Sequence, residues 1–441
     1  MAIPVEYLSV GMMCILLFLI FLGIRLGFAM MAVGFLFGLY YRGPAILSLF
    51  MNSMFGVMQN SVLIAIPLFV FMGILLEKSG VAERLFDTVY RAMGSMRGSL
   101  ALTVILISTL FAACTGVIAA SVTTMALVGL PAMIARKYDY GLACGVVCAG
   151  GSLGILIPPS VMLVVMGPMC NLSVTKLFAG AFMPGFLLSI LYILYVIVIS
   201  WLRPEVAPAI SKEELATTKG ENMFLKILLY ALPMIFLLVA VLGSIMAGIT
   251  APTEASALGV VGAALIAFAY RNLTWKTVFE ATIETVKVTS MVLFVNMGAT
   301  MFTSVFMFMR GGKIVENLLF ATGLGPVGII FLMMFILFIL GMVLDWIGIL
   351  YIVVPIFLPV VIKLGFDPLY FVLMVAVNLQ MSFLTPPFAS AIFFLRGVAP
   401  SVVTTRDIYR GVVPFVALQA VALGLCFLFP QIVLWLPSLG V

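Results

Sequence analysis

Apolar runs of about 20 residues, the length needed to cross a ~30 Å hydrocarbon core, recur along the whole chain and decide what it can fold into. They cover 5–23, 26–41, 62–76, 177–201, 224–248, 255–270, 288–309 and 412–434. Backbone inside hydrocarbon must satisfy its own polar groups, so these runs predict helices and an all-α polytopic membrane protein. With 65% hydrophobic and 9% charged residues and a mean hydropathy of +1.32, the 441-residue chain has too little polar surface to coat a soluble globule. Four further apolar blocks, 99–135, 141–170, 324–362 and 368–395, are irregular and do not divide cleanly into spans.

No basic residue precedes the first apolar run in MAIPVEYLSV, so that run is expected to persist as a helix and not to be a cleaved signal. Six scattered cysteines lack metal-ligand spacing and read as small buried hydrophobes; histidine is absent. The net charge of +6 reports topology before it reports an anionic partner, and no nucleic-acid partner is expected. If 99–135 is a hairpin that enters and leaves through one face, Lys78, Arg84, Arg91, Arg97, Arg136 and Lys137 share that face. Arg203, Lys226, Arg271, Lys276, Arg396 and Arg410 then join them, while Lys176, Arg310, Lys313 and Lys363 fall opposite. The crowded face is predicted to be cytoplasmic.

The chain also matches itself. Pro158-Pro159 recurs as Pro386-Pro387, an offset of 386 − 158 = 228, and the same offset brings Pro131 onto Pro359, Asp139 onto Asp367 and Leu156 onto Leu384. Two halves on one plan, 1–205 and 223–441, are expected, joined by a polar cytoplasmic linker at 206–222. An odd number of crossings between the double prolines inverts the second half. Interrupted segments at matching positions of inverted halves point to a secondary transporter's midplane site.

The first interruption, GGSLGILIPPS (150–160), places Gly150, Gly151 and Gly154 before prolines that cannot donate amide hydrogens to residues 154 and 155. Freed carbonyls suit a hard cation such as sodium, half-helix amides suit an anion, and Ser152 and Ser160 add hydroxyl oxygens. The second, NLQMSFLTPPFAS (378–390), replaces those glycines with Asn378, Gln380, Ser382 and Thr385. Proline and glycine also kink membrane helices without any ligand, and recurrence in register is what favours a site. In the 99–135 block, Thr115 and Gly116 interrupt the run and Ser121, Thr123 and Thr124 follow, either lining a site or cementing helices together. The matching turn of 324–362 holds Asp345, whose deep carboxylate reads as functional or as the cap of a helix starting near Trp346. Glu254 reads as a structural helix cap.

GGSLGILIPPS, the following LFAGAFMPGFLL (177–188) and LTPP (384–387) resemble the large, DctM-type membrane subunit of tripartite ATP-independent periplasmic (TRAP) transporters over essentially the whole chain. The resemblance implies two re-entrant hairpins and two broken helices in a mobile, elevator-type transport domain held by a scaffold. It further implies sodium-driven import of a small organic acid anion across the bacterial inner membrane. Its expected partners are a soluble periplasmic binding protein and a small four-helix membrane subunit, with sodium as coupling ion and no other cofactor. By position, Cys114, Thr115, Gly116, Gly151, Gly154 and Pro158 would form one sodium site. Gly341, Asp345, Asn378, Thr385 and Pro386 would form the other. Thr115, Ser121, Ser152, Asp345 and Thr385 would face substrate between the hairpin tips. The chain departs from the usual pattern where Val117 and Ile118 follow the first tip and Trp346 follows Asp345.

A stand-alone carrier of the same elevator class is the alternative. An enzyme is not expected, since neither a close pair of intramembrane carboxylates nor a nucleophile paired with a base is visible. There is no Gly-Lys-Ser/Thr phosphate loop, so ATP is not the direct energy source within this chain.

Overall fold

The computed structural model describes residues 5–94, 96–209 and 223–440, so most of the expected linker at 206–222 lies outside the described residues. Among them there is no strand, and nine helices are long and apolar enough to cross a membrane.

The first half runs α1 (Val5–Phe21), α2 (Leu26–Arg42), α3 (Ile46–Met58), α4 (Ala65–Lys78) and α5 (Val81–Ala92). It continues through α6 (Ser99–Thr115), α7 (Ile118–Ala135), α8 (Tyr140–Ser152), α9 (Val161–Cys170) and α10 (Val174–Leu202). The second half holds α11 (Met223–Met246), α12 (Pro252–Ala269), α13 (Trp275–Phe308), α14 (Gly311–Ala321) and α15 (Pro326–Gly341). It closes with α16 (Trp346–Lys363), α17 (Pro368–Leu384), α18 (Ser390–Val398), α19 (Thr405–Leu428) and α20 (Gln431–Ser438).

Each irregular block resolves into a helix pair: α6 with α7, α8 with α9, α15 with α16, and α17 with α18. The α6–α7 pair is a hairpin with both feet on one face. Gly98, just before α6, and Asp139, just after α7, donate their amide hydrogens to the neighbouring carbonyls of Ala207 (3.2 Å) and Val206 (2.9 Å). Lys363, at the far end of α16, reaches Glu316 of α14 at 2.6 Å, which anchors the second pair beside the helix that precedes it. Asp139 and Asp367, matched in the sequence, both cap the helices that follow, accepting from the amides of Leu142 at 2.9 Å and Leu369 at 2.8 Å. The spacing recurs between element starts: α7 and α16 lie 346 − 118 = 228 residues apart, as do α8 and α17 at 368 − 140 = 228.

The apolar windows correspond to helices with three differences. The 288–309 window is the end of a much longer helix, α13, whose 34 residues extend about 51 Å at 1.5 Å per residue. The 412–434 window is broken after α19, where Pro430 interrupts it. Helices α3, α5 and α14 escape the hydropathy reading because each is short or amphipathic. All six cysteines are free, and five are buried as expected; Cys14 is exposed. Glu254 caps the start of α12, accepting from the Ala251 amide at 3.1 Å.

Helices α8 and α19 meet through glycines. A Cβ on Gly411 would stand 2.7 Å from the carbonyl carbon of Gly141, so the two backbones touch. Beside that seam, Gln419 of α19 donates to the hydroxyl of Tyr192 of α10 at 2.8 Å, both residues fully buried.

Candidate functional site

The first site is assembled around the turn between α6 and α7. Gly116 caps α6 with φ +63°, and a Cβ there would stand 2.6 Å from the carbonyl oxygen of Pro159, so the hairpin tip rests on the break between α8 and α9. Residues 151–160 are all buried. Gly154 faces the Ser121 hydroxyl and the Val117 carbonyl, at 3.0 and 3.4 Å from its Cβ position, and Gly151 packs on Val122. Thr115 and Ser121 share a buried hydroxyl–hydroxyl hydrogen bond of 2.8 Å. Cys114, Thr115, Gly116, Ser121, Gly151, Gly154 and Pro158 are therefore gathered in one place.

Of the two carbonyls freed by the prolines, that of Ile155 accepts the hydroxyl of Ser160, which leaves Gly154 as the one denied its usual helical donor by Pro158. Ser152 donates to Ala149 at 2.9 Å, so its oxygen keeps only acceptor capacity.

The second site follows the same plan with different chemistry. Gly341 ends α15 against Ser382, and the amide of Phe388 donates to Met342 at 2.9 Å, tying this tip to its break. Asn378 donates to the Met334 carbonyl at 2.9 Å, and Thr385 to Met381 at 2.7 Å. The remaining oxygen of Asn378, both polar atoms of Gln380 and the hydroxyl of Ser382 are buried with no partner among the described residues. Unpartnered polar groups inside a membrane protein are costly and call for an explanation. Asp345 stands at the N-cap position of α16, half-buried, with its carboxylate set against the first amides of that helix, those of Trp346 and Ile347. Thr385 and Pro386 are half-buried and Pro387 is exposed, so this break is open where the first is closed. Among the described residues no hydrogen bond links the Thr115–Ser121–Ser152 group to Asp345 or Thr385.

Two cavities flank α13, and the sequence reading had singled out neither. One, of about 320 Å³, touches the first tip at Thr115 and Thr123 and is also lined by Glu77, Glu284 and Lys287. The other, of about 520 Å³, lies toward the C-terminal end of α13, just before Arg310, and includes Asn60, Asn296, Thr300 and Ser304. Glu284, Val288, Asn296, Thr300 and Ser304 recur at multiples of four, so one ridge of α13 walls both cavities. That ridge was the missed signal: polar residues at helical spacing on a helix otherwise apolar enough to span.

Comparison with known proteins fits this architecture. The crystal structure of the Alcanivorax borkumensis YdaH transporter shares the fold, with a TM-score of 0.62 at 15% identity over 90% of each chain. The C4-dicarboxylate TRAP transporter large permease protein DctM of Pseudomonas aeruginosa is 30% identical over 87% of this chain and 88% of its own. The sialic acid TRAP transporter large permease protein SiaM of Vibrio cholerae is 29% identical over 96% of each. Residues 13–432 match the family described as tripartite ATP-independent periplasmic transporter, DctM component. A helical, multi-pass chain with this coverage belongs to the DctM family of TRAP large permeases, integral proteins of the bacterial inner membrane.

Proposed function

We propose that this permease is the sodium-coupled membrane component of a tripartite uptake system, importing a small organic anion that a periplasmic binding protein delivers. A small four-helix membrane subunit completes the assembly. The two halves are read as inverted repeats, 1–205 and 223–441, and transport as elevator-type alternating access. Hairpins α6–α7 and α15–α16 with the broken helices α8–α9 and α17–α18 form the moving body, and α13 belongs to the scaffold.

The observation that carries this reading is the seating of each hairpin tip on a broken helix, with unpartnered polar atoms buried at the second of them. Oxygen atoms held apart from protein donors are what a desolvated sodium ion needs. Cys114, Thr115, Gly116, Gly151, Gly154 and Pro158 would supply the first ion site. Gly341, Asp345, Asn378, Thr385 and Pro386 would supply the second. Ion binding would order both tips and complete a pocket for the anion, with Thr115, Ser121, Ser152, Asp345 and Thr385 facing it. The relatives' names span dicarboxylates and sialic acid, so family membership alone leaves the anion's class open.

The test is sodium-driven uptake in proteoliposomes containing both membrane subunits and supplied with the binding protein. Asp345→Ala and Pro159→Ala are each expected to abolish it; wild-type uptake in both would remove the ion-site assignment.

A further inference from the structure

The 520 Å³ cavity, in the size range of ligand pockets, has no charged residue in its lining, an unusual choice for the path of an anion. Five of its seven polar side chains have their hydrogen-bonding capacity divided in a consistent way. The Asn60 carbonyl oxygen accepts from the Val62 amide at 3.1 Å, and that of Asn296 accepts from the Thr300 hydroxyl at 3.2 Å. Each asparagine therefore has its oxygen in use, while among the described residues neither carboxamide nitrogen donates to the protein. What they leave for a ligand is N–H.

The hydroxyls are committed the opposite way. Thr300 shares its single hydrogen between the backbone carbonyl of Asn296 at 2.8 Å and that residue's side-chain oxygen, Thr303 donates to the backbone carbonyl of Tyr351 at 2.8 Å and Ser304 to that of Thr300 at 2.7 Å. Their hydrogens are spent on backbone, so their oxygens remain as acceptors. These five side chains thus offer two amide donor groups and three hydroxyl acceptors, and the hydroxyls of Ser53 and Tyr351 line the same cavity. Neutral N–H groups suit one carboxylate without the strong trapping that a buried lysine or arginine would impose. The hydroxyl oxygens suit ligand hydroxyls, and a second carboxylate would find no counter-charge. The cavity lies between the α13 wall and residues of α9 and α16, including Met169 and Tyr351, on the end of α13 away from Lys78 and Glu284.

Resting on the transport reading above, we propose that this is a substrate-recognition cavity on the periplasmic side, selective for a hydroxylated monocarboxylate over a dicarboxylate or a plain fatty acid. Asn60 and Asn296 hold the carboxylate, and Thr300, Thr303 and Ser304 read the hydroxyls.

The experiment is calorimetric titration of the full-length chain in nanodiscs, in sodium buffer, with gluconate, hexanoate and succinate as probes. Gluconate is expected to bind about tenfold or more tighter than the other two, as charge-assisted and neutral hydrogen bonds of this number imply. Asn296→Asp and Asn60→Asp, nearly isosteric but anion-repelling, are each expected to weaken gluconate by about tenfold or more. Thr300→Val should narrow the gap between gluconate and hexanoate while leaving hexanoate unchanged. Equal binding of the three probes, or gluconate binding indifferent to both Asp variants, overturns the proposal. Melting temperature in the absence of probe controls for folding, and the half-exposed Asn60 decides if the Asn296 variant fails to assemble. Sodium-driven gluconate uptake is measured in parallel. Binding lost in the Asp variants with no uptake in the wild type would strike the transport reading alone, and uptake unchanged in both variants would strike the cavity alone.

Discussion

The carbonyl oxygen of Pro159 lies where a side chain on Gly116 would begin: a Cβ there would stand 2.6 Å from it. The first hairpin thus touches the first broken helix through bare backbone, and the contact exists because Gly116 has no side chain. Gly116 is also left-handed, with φ +63°. Gly116→Ala therefore meets both a steric clash and a backbone penalty of about 1–2 kcal/mol. Expected is a lower melting temperature of the purified chain together with loss of sodium-driven uptake in the reconstituted assembly. Normal uptake by the alanine variant would show that tip and break need not touch.

Thr115 and Ser121 face each other across the same tip at 2.8 Å. Removing one hydroxyl leaves the other buried and unpaired, at a cost of about 1–3 kcal/mol, whereas removing both is cheaper than the sum. A double-mutant cycle of Thr115→Val and Ser121→Ala, read as the sodium concentration for half-maximal uptake, should show this coupling. Strict additivity would separate the two residues.

Tyr192 and Gln419 join α10 to α19 through a fully buried hydrogen bond. Tyr192→Phe should lower stability by about 1 kcal/mol, since it takes away the acceptor of the Gln419 amide. Gln419→Leu should cost a similar amount, since it takes one partner from the buried tyrosine hydroxyl and leaves it only Ser152. Thermal unfolding followed by tryptophan fluorescence measures both, and an unshifted midpoint in each would show the bond to be dispensable.

Gly411 and Gly141 bring α19 and α8 into backbone contact. Gly411→Val has no relaxed rotamer that avoids the Gly141 carbonyl, and overpacking of this kind typically costs about 1–3 kcal/mol or more. Expected is loss of a monodisperse species in size-exclusion chromatography, while Gly424→Val, on the same helix with open space around it, should behave as wild type.

Lys78 pairs with Glu284 at 3.0 Å and Glu280 at 3.3 Å, with the acids nearly half-exposed. Such pairs contribute little, so Lys78→Ala should change stability by less than about 1 kcal/mol, and the difference should shrink further in high salt. A large, salt-independent loss measured by thermal unfolding would assign Lys78 a structural duty beyond this pair.

Hydropathy located most of the helices because hydrocarbon permits few alternatives: a run of about 20 apolar residues must be a helix with its own hydrogen bonds closed. The double prolines, Asp139 and Asp367 were legible for a similarly local reason, since a missing amide hydrogen or a capping carboxylate acts within one turn of its own residue. Amphipathic α5 and α14 were missed because average hydropathy is blind to periodicity. What no local rule supplies is which segments meet. That Gly116 rests on Pro159 and that Asn296 and Asn60 turn spare N–H groups to one cavity depend on helices far apart in the chain packing at a fixed depth. The solvent preference of each segment is written in its own residues, whereas the partners of its polar atoms are set only when the packed neighbours arrive.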